Sequence, residues 1–306
     1  MKTILIFALI SLPLFARDVT EEYFRKYEEG GLSTEQVETL KNVEVVLIPG
    51  HMSETFVSDD PRSHINLSFF TKDYFGTHLS YLKRLGIPAR RLNASSASVG
   101  DTKNEIDGVF NSTQRQLVFY THSLGGMALL DYLLTHPEKW ERVSGLIFMQ
   151  SPFTGAPVAT VARRYPKLGV IFPFVHTSVE VVHYLSLEER QEYILKNQAL
   201  LTELTSKIKT VTVGGIANGY KTVFATSVTL IKSGCLKLVR GRCIGRPLFE
   251  GPYDFSDGMV PFEGSKLPEA DFVKLMATDH GETVLNTPFR NVDHKRMTAA
   301  LLKLIL

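Results

Sequence analysis

The sequence predicts an α/β fold with a mostly parallel central sheet and helices on both of its faces. Short apolar runs rich in β-branched or aromatic residues have the composition of strands buried on both faces, and they cover residues 43–50, 116–121, 143–150, 210–216 and 272–278. Segments with helical apolar spacing separate several of these runs or follow the last one, at residues 74–85, 102–110, 126–135 and 292–306. Alternating strands and helices are typical of a parallel sheet that is covered on both sides.

Length and composition indicate one globular domain. The 306 residues contain neither repeats nor a low-complexity linker, so we expect a single domain over residues 17–306. A domain of this size buries roughly 75% of the surface of its unfolded chain. The residues are 44% hydrophobic and 22% charged, a balance too apolar for a disordered protein. The net charge of +2 and the lack of a long basic run argue against a nucleic-acid-binding protein.

The first residues have the pattern of a secretory signal peptide. Lys2 precedes an apolar run over residues 4–14, and Ala16 precedes a charged pair, so we expect cleavage of residues 1–16 near Ala16 and a secreted or other extracytoplasmic protein. A membrane anchor is the alternative, but a run this short that contains Pro13 falls below the ~20 residues that span a bilayer. No later segment predicts a membrane span.

Export bears on the two cysteines, because thiols outside the cytoplasm tend to oxidise. Cys235 and Cys243 flank an alternating run with a possible Arg-Gly turn and could close a hairpin through a disulfide. Two free cysteines are the alternative.

The stretch LVFYTHSLGGMALLDYLL, residues 117–134, begins as a buried strand and ends as an apolar helix, with Ser123 at the join. Gly125 and Gly126 would allow the helix to start close to the strand, and a tight turn would present the serine hydroxyl above the carboxyl ends of the strands. Serine is also a favoured helix N-cap, which is the alternative interpretation. Strand, HSLGG and helix in this order favour a nucleophile.

On these residues the chain resembles the α/β-hydrolase superfamily, and within it the bacterial secreted lipases and esterases whose nucleophile turn reads GHSxGG. Thr121 stands where most members have glycine, which suggests a slightly wider turn. The stretch at 151–159 looks like the family's PHxGS-like segment. The resemblance implies an α/β-hydrolase fold and the hydrolysis of carboxylic esters, most of all those of fatty acids.

A serine hydroxyl needs a base, and in α/β-hydrolases the partners follow in the order nucleophile, acid, base. His280 is the predicted base, because it follows a late apolar strand as the family's base does. His294 falls on the final helical pattern and is expected at the surface. His176 and His183 lie in an apolar insertion and are expected to pack, with a catalytic role as the alternative.

The predicted acid is Asp257, in a segment, DFSDGMVP, that resembles the NDGLV turn of the lipases. Asp254 is the reserve candidate. Asp279 adjoins His280 in sequence, a spacing that seldom gives the required geometry, so it is expected to be a solvated turn residue.

The developing oxyanion also needs hydrogen-bond donors. We expect the backbone N–H of Leu124 to supply one and that of His51, after Pro49 and Gly50, to supply the second, where the family has an HG dipeptide. The His51 side chain either lines the pocket or is an ordinary loop histidine. His122 is expected to point away from the nucleophile and to support the turn.

Residues 155–209 separate two strands by more than a single crossover helix requires, and their apolar run over residues 168–185 contains Pro173. Lipases of this resemblance carry a helical lid here, so a lid or cap insertion that meets a lipid surface is expected, with a plain core helix as the alternative. Glu282 occupies the place of a calcium ligand, but the segment before Asp257 is basic, so structural calcium is doubtful and no cofactor is expected. The oligomeric state is left open.

Together these features predict an exported serine hydrolase that acts on a lipid or other ester through an acyl-enzyme. A lipid acyltransferase would use the same three side chains and pass the acyl group to an alcohol. A non-catalytic binding protein of the same fold is the third reading, although such proteins usually lack a member of the triad.

Overall fold

The computed structural model describes residues 16–51, 53–56, 73–94, 98–164, 178–218, 255–286 and 292–306. Its strands are β1 (Val43–Ile48), β2 (Ala89–Arg91), β3 (Gln116–His122), β4 (Val143–Met149), β5 (Thr210–Ile216) and β6 (Asp271–Met276). They form one sheet in the order β2-β1-β3-β4-β5-β6, and every neighbouring pair is parallel.

The helices are α1 (Thr20–Glu29), α2 (Thr34–Leu40), α3 (Gly76–Arg84), α4 (Val99–Ser112), α5 (Leu124–Thr135), α6 (Pro157–Arg164), α7 (Val179–Tyr184), α8 (Leu187–Lys196), α9 (Gln198–Lys207) and α10 (His294–Ile305). Short 3₁₀ turns lie at Ser53–Phe56, Pro137–Arg142 and Phe262–Ser265.

Side chains alternate between the two faces of the sheet and so belong to two separate apolar clusters. Phe119 and Phe148 pack with α4, α5 and the helices α6 to α9. Tyr120 and Ile147, their neighbours along the strands, pack with α1, α3 and α10 on the opposite face. The predicted α/β class with helices on both faces is therefore confirmed.

The five predicted strands are present, with ends that differ by at most two residues from the expected ones. The sequence did not predict β2, because its three residues are Ala-Arg-Arg, all half-buried, and carry no apolar run. It also missed α1 and α2, whose exposed faces are strongly charged. Arg17 to Val19 lie along the free edge of β6, where the Val19 N–H donates to the Phe272 carbonyl at 2.9 Å.

Each described helix of the long insertion between β4 and β5 buries residues against the core. Val158, Val161 and Val181 are completely buried, and so are Leu201 and Leu204. His183 is exposed, so the expectation that it packs is wrong: it lies on the outer side of α7. Residues 168–177 of the apolar run lie outside the described ranges, and the lid stays a prediction.

A buried ion pair joins α5 to this insertion. The guanidinium of Arg190 forms two parallel hydrogen bonds with the carboxylate of Asp131, at 3.0 and 3.1 Å, with both side chains at most 4% exposed. Tyr184 donates its hydroxyl to the same carboxylate at 2.7 Å, and the rings of Tyr184 and Tyr193 lie 4.8 and 4.3 Å from the guanidinium carbon. These four residues are referred to below as the anchor cluster.

Other predictions fall outside the described ranges: signal-peptide residues 1–15, the Cys235–Cys243 disulfide, His176 and Asp254. Within those ranges, no helix is both long and apolar enough to cross a membrane.

Candidate active site

Ser123 occupies the turn between β3 and α5 in a backbone conformation that residues other than glycine rarely adopt. Its φ and ψ angles are 51° and −126°, a combination that the Cβ of serine disfavours. Its N–H still donates to the Met149 carbonyl of β4 at 2.9 Å, so the sheet holds the turn in place. The side chain is 8% exposed and faces the carboxyl edge of the sheet. Such local strain is typical of residues whose side chain must be aimed.

Two glycines allow α5 to begin against the sheet. A Cβ on Gly125 would lie 2.3 Å from the Pro49 carbonyl oxygen, and one on Gly126 would lie 2.1 Å from Ser151 Oγ and 2.8 Å from Thr121 Oγ1. A larger side chain at either position would force the helix away from the strand. Thr121 itself is completely buried and donates to the Ile147 carbonyl at 3.2 Å, so it fits within the turn.

The predicted nucleophile, base and acid lie within hydrogen-bonding distance of one another. His280 Nε2 is 2.9 Å from Ser123 Oγ, and His280 Nδ1 is 2.8 Å from Asp257 Oδ2. Asp257 is 1% exposed, and its Oδ1 accepts the N–H groups of Met259 at 2.9 Å and Val260 at 2.8 Å. Because this carboxylate only accepts, Nδ1 of His280 carries the proton and the Nε2 lone pair faces the serine hydroxyl.

His122 points away from the Ser123 hydroxyl and joins two loops of the site. Its Nε2 donates to the His280 carbonyl at 2.9 Å, so its Nδ1 accepts the Tyr74 hydroxyl at 2.6 Å. Tyr74 in turn accepts the Gly50 N–H at 3.1 Å. Burial and repulsion from His280 hold the pKa of His122 well below its usual value, so the ring is neutral, as this pattern requires.

The two expected oxyanion donors lie beside the serine. Leu124 is the first residue of α5, and the first N–H groups of a helix have no acceptor within that helix. A Cβ on Gly50 would lie only 2.7 Å from Ser123 Cβ, so the backbone leading into His51 runs directly past Ser123. The N-terminus of α5 also favours negative charge at this position.

Two predictions about the loop around His280 are wrong. Asp279 is 1% exposed, and its Oδ1 accepts the N–H groups of Gly281 and Glu282, so it closes the turn from within. His294 is 3% exposed and donates Nε2–H to the Glu282 carbonyl at 2.8 Å. The helical period places His294 on the inner face of α10, where the chain needs a donor for that carbonyl.

A second buried histidine supports this loop from behind. The ring of His78, on α3, stacks on that of His294 with centroids 4.9 Å apart and contacts Phe75 and Tyr120 edge-on. Burial, reinforced by His294 and His122, holds the pKa of His78 well below its usual value. The imidazole is therefore neutral at pH 7.

Sequence reasoning did not single out Tyr74 or Gln150, which both contact His122. The sequence pattern marks Tyr74 only as the start of a helical segment. Gln150 ends the mostly apolar run at residues 143–150, and a polar side chain at that point is a usable signal.

In the described part of the chain, no three His, Cys, Asp or Glu side chains are grouped so that they could hold a metal ion. Glu282, which stands where the resemblance places a calcium ligand, accepts the Asp279 N–H at 2.9 Å. These contacts give Glu282 a structural partner within its own turn.

Comparisons with known proteins place the fold. No protein-family model matches the sequence, and no curated protein matches it. Among solved structures, a metagenomic carboxyl esterase matches 90% of this chain and 77% of its own, with a TM-score of 0.65 and 14% identity. A Bacillus licheniformis lipase in its mature form matches 78% of this chain and 85% of its own, with a TM-score of 0.57 and 14% identity. With its parallel sheet and helices on both faces, the chain has the α/β-hydrolase fold.

Proposed function

We propose that this protein is an exported serine hydrolase that cleaves carboxylic esters, with fatty acyl esters as its substrate class. The observation that carries the proposal is the hydrogen-bonded chain from Ser123 through His280 to Asp257, built on a strained turn at the carboxyl edge of the sheet. The esterase and lipase named above support ester hydrolysis as the reaction class.

In the first half of the proposed reaction, Ser123 Oγ attacks the ester carbonyl carbon while His280 Nε2 takes the hydroxyl proton. Asp257 stabilises the imidazolium and keeps it oriented. The N–H groups of Leu124 and His51 stabilise the oxyanion; losing one donor in such sites costs about 3 kcal/mol. The imidazolium then gives its proton to the departing alcohol, and the acyl group stays on Ser123.

In the second half, water attacks the acyl-enzyme and gives one proton to His280. Collapse of the tetrahedral intermediate releases the carboxylic acid and returns the proton to Ser123 Oγ. His122 does not compete with His280 for the serine proton, because burial lowers its pKa and both of its ring nitrogens already have hydrogen-bond partners.

Export is part of the proposal and rests on the signal-peptide pattern of residues 1–16. Arg17 forms two hydrogen bonds with Asp271, at 3.1 and 3.0 Å, and Asp18 forms a parallel bridge with Phe272. The folded domain therefore includes the residue that would follow cleavage at Ala16.

The decisive test is covalent labelling by a fluorophosphonate probe combined with ester turnover. Ser123→Ala should abolish labelling and lower turnover of p-nitrophenyl butyrate by about a million-fold, the loss typical of a triad nucleophile. Asp257→Asn should remove most of the activity.

Asp279→Asn is the matched control, because it changes a buried aspartate, next to the proposed base, whose Oδ1 accepts two backbone N–H groups. Its turnover should stay within about tenfold of wild type. Labelling that survives Ser123→Ala, or a larger loss in Asp279→Asn than in Asp257→Asn, would refute the assignment. Adding a primary alcohol and measuring a new ester distinguishes an acyltransferase.

Action at a lipid surface rests on the apolar run at residues 168–185. If this run is a lid, hydrolysis of tributyrin should rise steeply once the substrate exceeds its solubility, because burying a few hundred Å² of apolar surface offsets several kcal/mol at ~25 cal/mol per Å². Phe172→Ser with Phe174→Ser should blunt that rise and spare soluble short-chain esters. A smooth saturation curve in both proteins would leave a plain esterase.

A further inference from the structure

Gln150 is a buried polar residue in an unusual backbone position. It directly follows β4, is completely buried and has a φ angle of 49°. Its N–H donates to the Val213 carbonyl of β5 at 2.7 Å, so the strained conformation is held by the sheet. Burying a glutamine in such a conformation costs free energy, which the contacts of its side chain offset.

Those contacts all lead to the loop that carries His280. The amide Nε2 donates to the Asp279 carbonyl at 3.0 Å, and Oε1 accepts the Thr283 hydroxyl at 2.6 Å. Oε1 also lies 3.3 Å from Nε2 of His122, the group that donates to the His280 carbonyl. A carbonyl can only accept, so just one orientation of the amide satisfies the first two partners.

A glycine on the neighbouring strand provides the space for this side chain. A Cβ on Gly215 of β5 would lie 2.5 Å from Gln150 Nε2, 2.8 Å from the Thr278 carbonyl and 3.0 Å from Asp257 Cβ. The glutamine therefore crosses the end of β5 and lies between the loop of the acid and the loop of the base.

We propose that Gln150 is a positioning residue: it fixes the loop on both sides of His280, so that the imidazole reaches Asp257 and Ser123 together. This inference rests on the proposed function, because it takes His280 to be the catalytic base whose position matters. Gln150 contacts the backbone before His280 and a side chain after it, and none of its described contacts is with the reacting oxygen of Ser123. A shift of about 1 Å in a reacting group can cost about 100-fold in rate.

The test compares Gln150→Met, which keeps length and volume but loses the amide, in the wild-type and His280→Ala backgrounds. With p-nitrophenyl butyrate, kcat should fall about 10- to 100-fold in the wild-type background while KM stays within about threefold, and fluorophosphonate labelling should slow in parallel. In the His280→Ala background the same substitution should cause no further loss, because its effect passes through the imidazole.

Thr283→Val provides a second variant that is close to isosteric. It removes the hydroxyl donor to Gln150 and should lower kcat by about 3- to 10-fold, again only when His280 is present. It carries the test if circular dichroism shows that Gln150→Met does not fold.

Thr212→Val is the matched control, because Thr212 is 1% exposed on β5 and donates instead to the Asp271 carbonyl at 3.3 Å. Its kcat should stay within about twofold of wild type.

An unchanged kcat in the Gln150 variant, or an equal loss in both backgrounds, would overturn the positioning role while leaving the serine hydrolase proposal intact. Full activity of His280→Ala itself would instead overturn the proposed function.

Discussion

The site and the anchor cluster are both buried and polar, yet their backbones differ. The anchor cluster joins residues in regular helices, and its carboxylate and guanidinium satisfy each other. The site depends on residues that directly follow strands with positive φ angles: Ser123 after β3, Gln150 after β4 and Ala277 after β6. The difference indicates that strain accompanies the sharp turns at strand ends that position the side chains of the site, whereas fastening two helices needs none.

The largest effect expected from this contrast is the fall in stability when one member of the anchor cluster is removed. Arg190→Met leaves the Asp131 carboxylate buried without its main partner, so we expect the free energy of unfolding to fall by about 3–5 kcal/mol. The kcat of the remaining folded protein should be unchanged. Urea unfolding and p-nitrophenyl butyrate turnover measure the two quantities.

Arg190→Met combined with Asp131→Leu should regain most of the lost stability, because no uncompensated charge remains. Arg164→Met is the control for the chemistry of the substitution: Arg164 pairs with Glu188 at the surface, with side chains 46% and 43% exposed, and should change stability by less than about 0.5 kcal/mol. A fall in kcat after Arg190→Met would show that the two regions are coupled.

A smaller expected difference between the two regions is in how their stability depends on pH. The depressed pKa values of His78 and His122 mean that the unfolded chain binds protons below about pH 6.5 that the folded chain does not. Their contribution to stability is therefore present above pH 6.5 and is lost as the pH falls towards the folded pKa values. Each histidine contributes a slope of up to about 1.4 kcal/mol per pH unit.

His78→Leu should reduce this slope by one proton between pH 6.5 and 5, as measured by urea unfolding at a series of pH values. In the anchor cluster, Tyr184 and Arg190 have raised pKa values and do not titrate in this range. Amide exchange at pH 5 should therefore accelerate around residues 277–286 before it accelerates in α8. The reverse order would contradict the assignment of acid sensitivity to the buried histidines.

Sequence reasoning located the sheet and pointed to Ser123, His280 and Asp257, which the structure brings together, because each follows a strong local signal. A buried apolar run predicts a strand. The motif HSLGG predicts the turn at Ser123, because its two glycines allow the helix to pack closely against the strand. Sequence reasoning failed for His294 and Asp279, since a polar side chain in a surface-like pattern gives no sign that a buried carbonyl or N–H group of the same loop needs a partner. Gln150 was missed for a different reason, because its partners lie 129 and 133 residues away in sequence.

Contacts between residues so far apart in sequence affect the order in which the molecule folds. Ser123 and His280 are 157 residues apart, and their hydrogen bond requires β3, β4, β5 and β6 to have paired in parallel register. Contacts of such range form slowly and late in folding, after the local helices. Ser123, the proposed nucleophile, should thus become reactive only in the last step of refolding. A fluorophosphonate pulse during refolding would time that step directly, since only chains with a completed sheet would take the label.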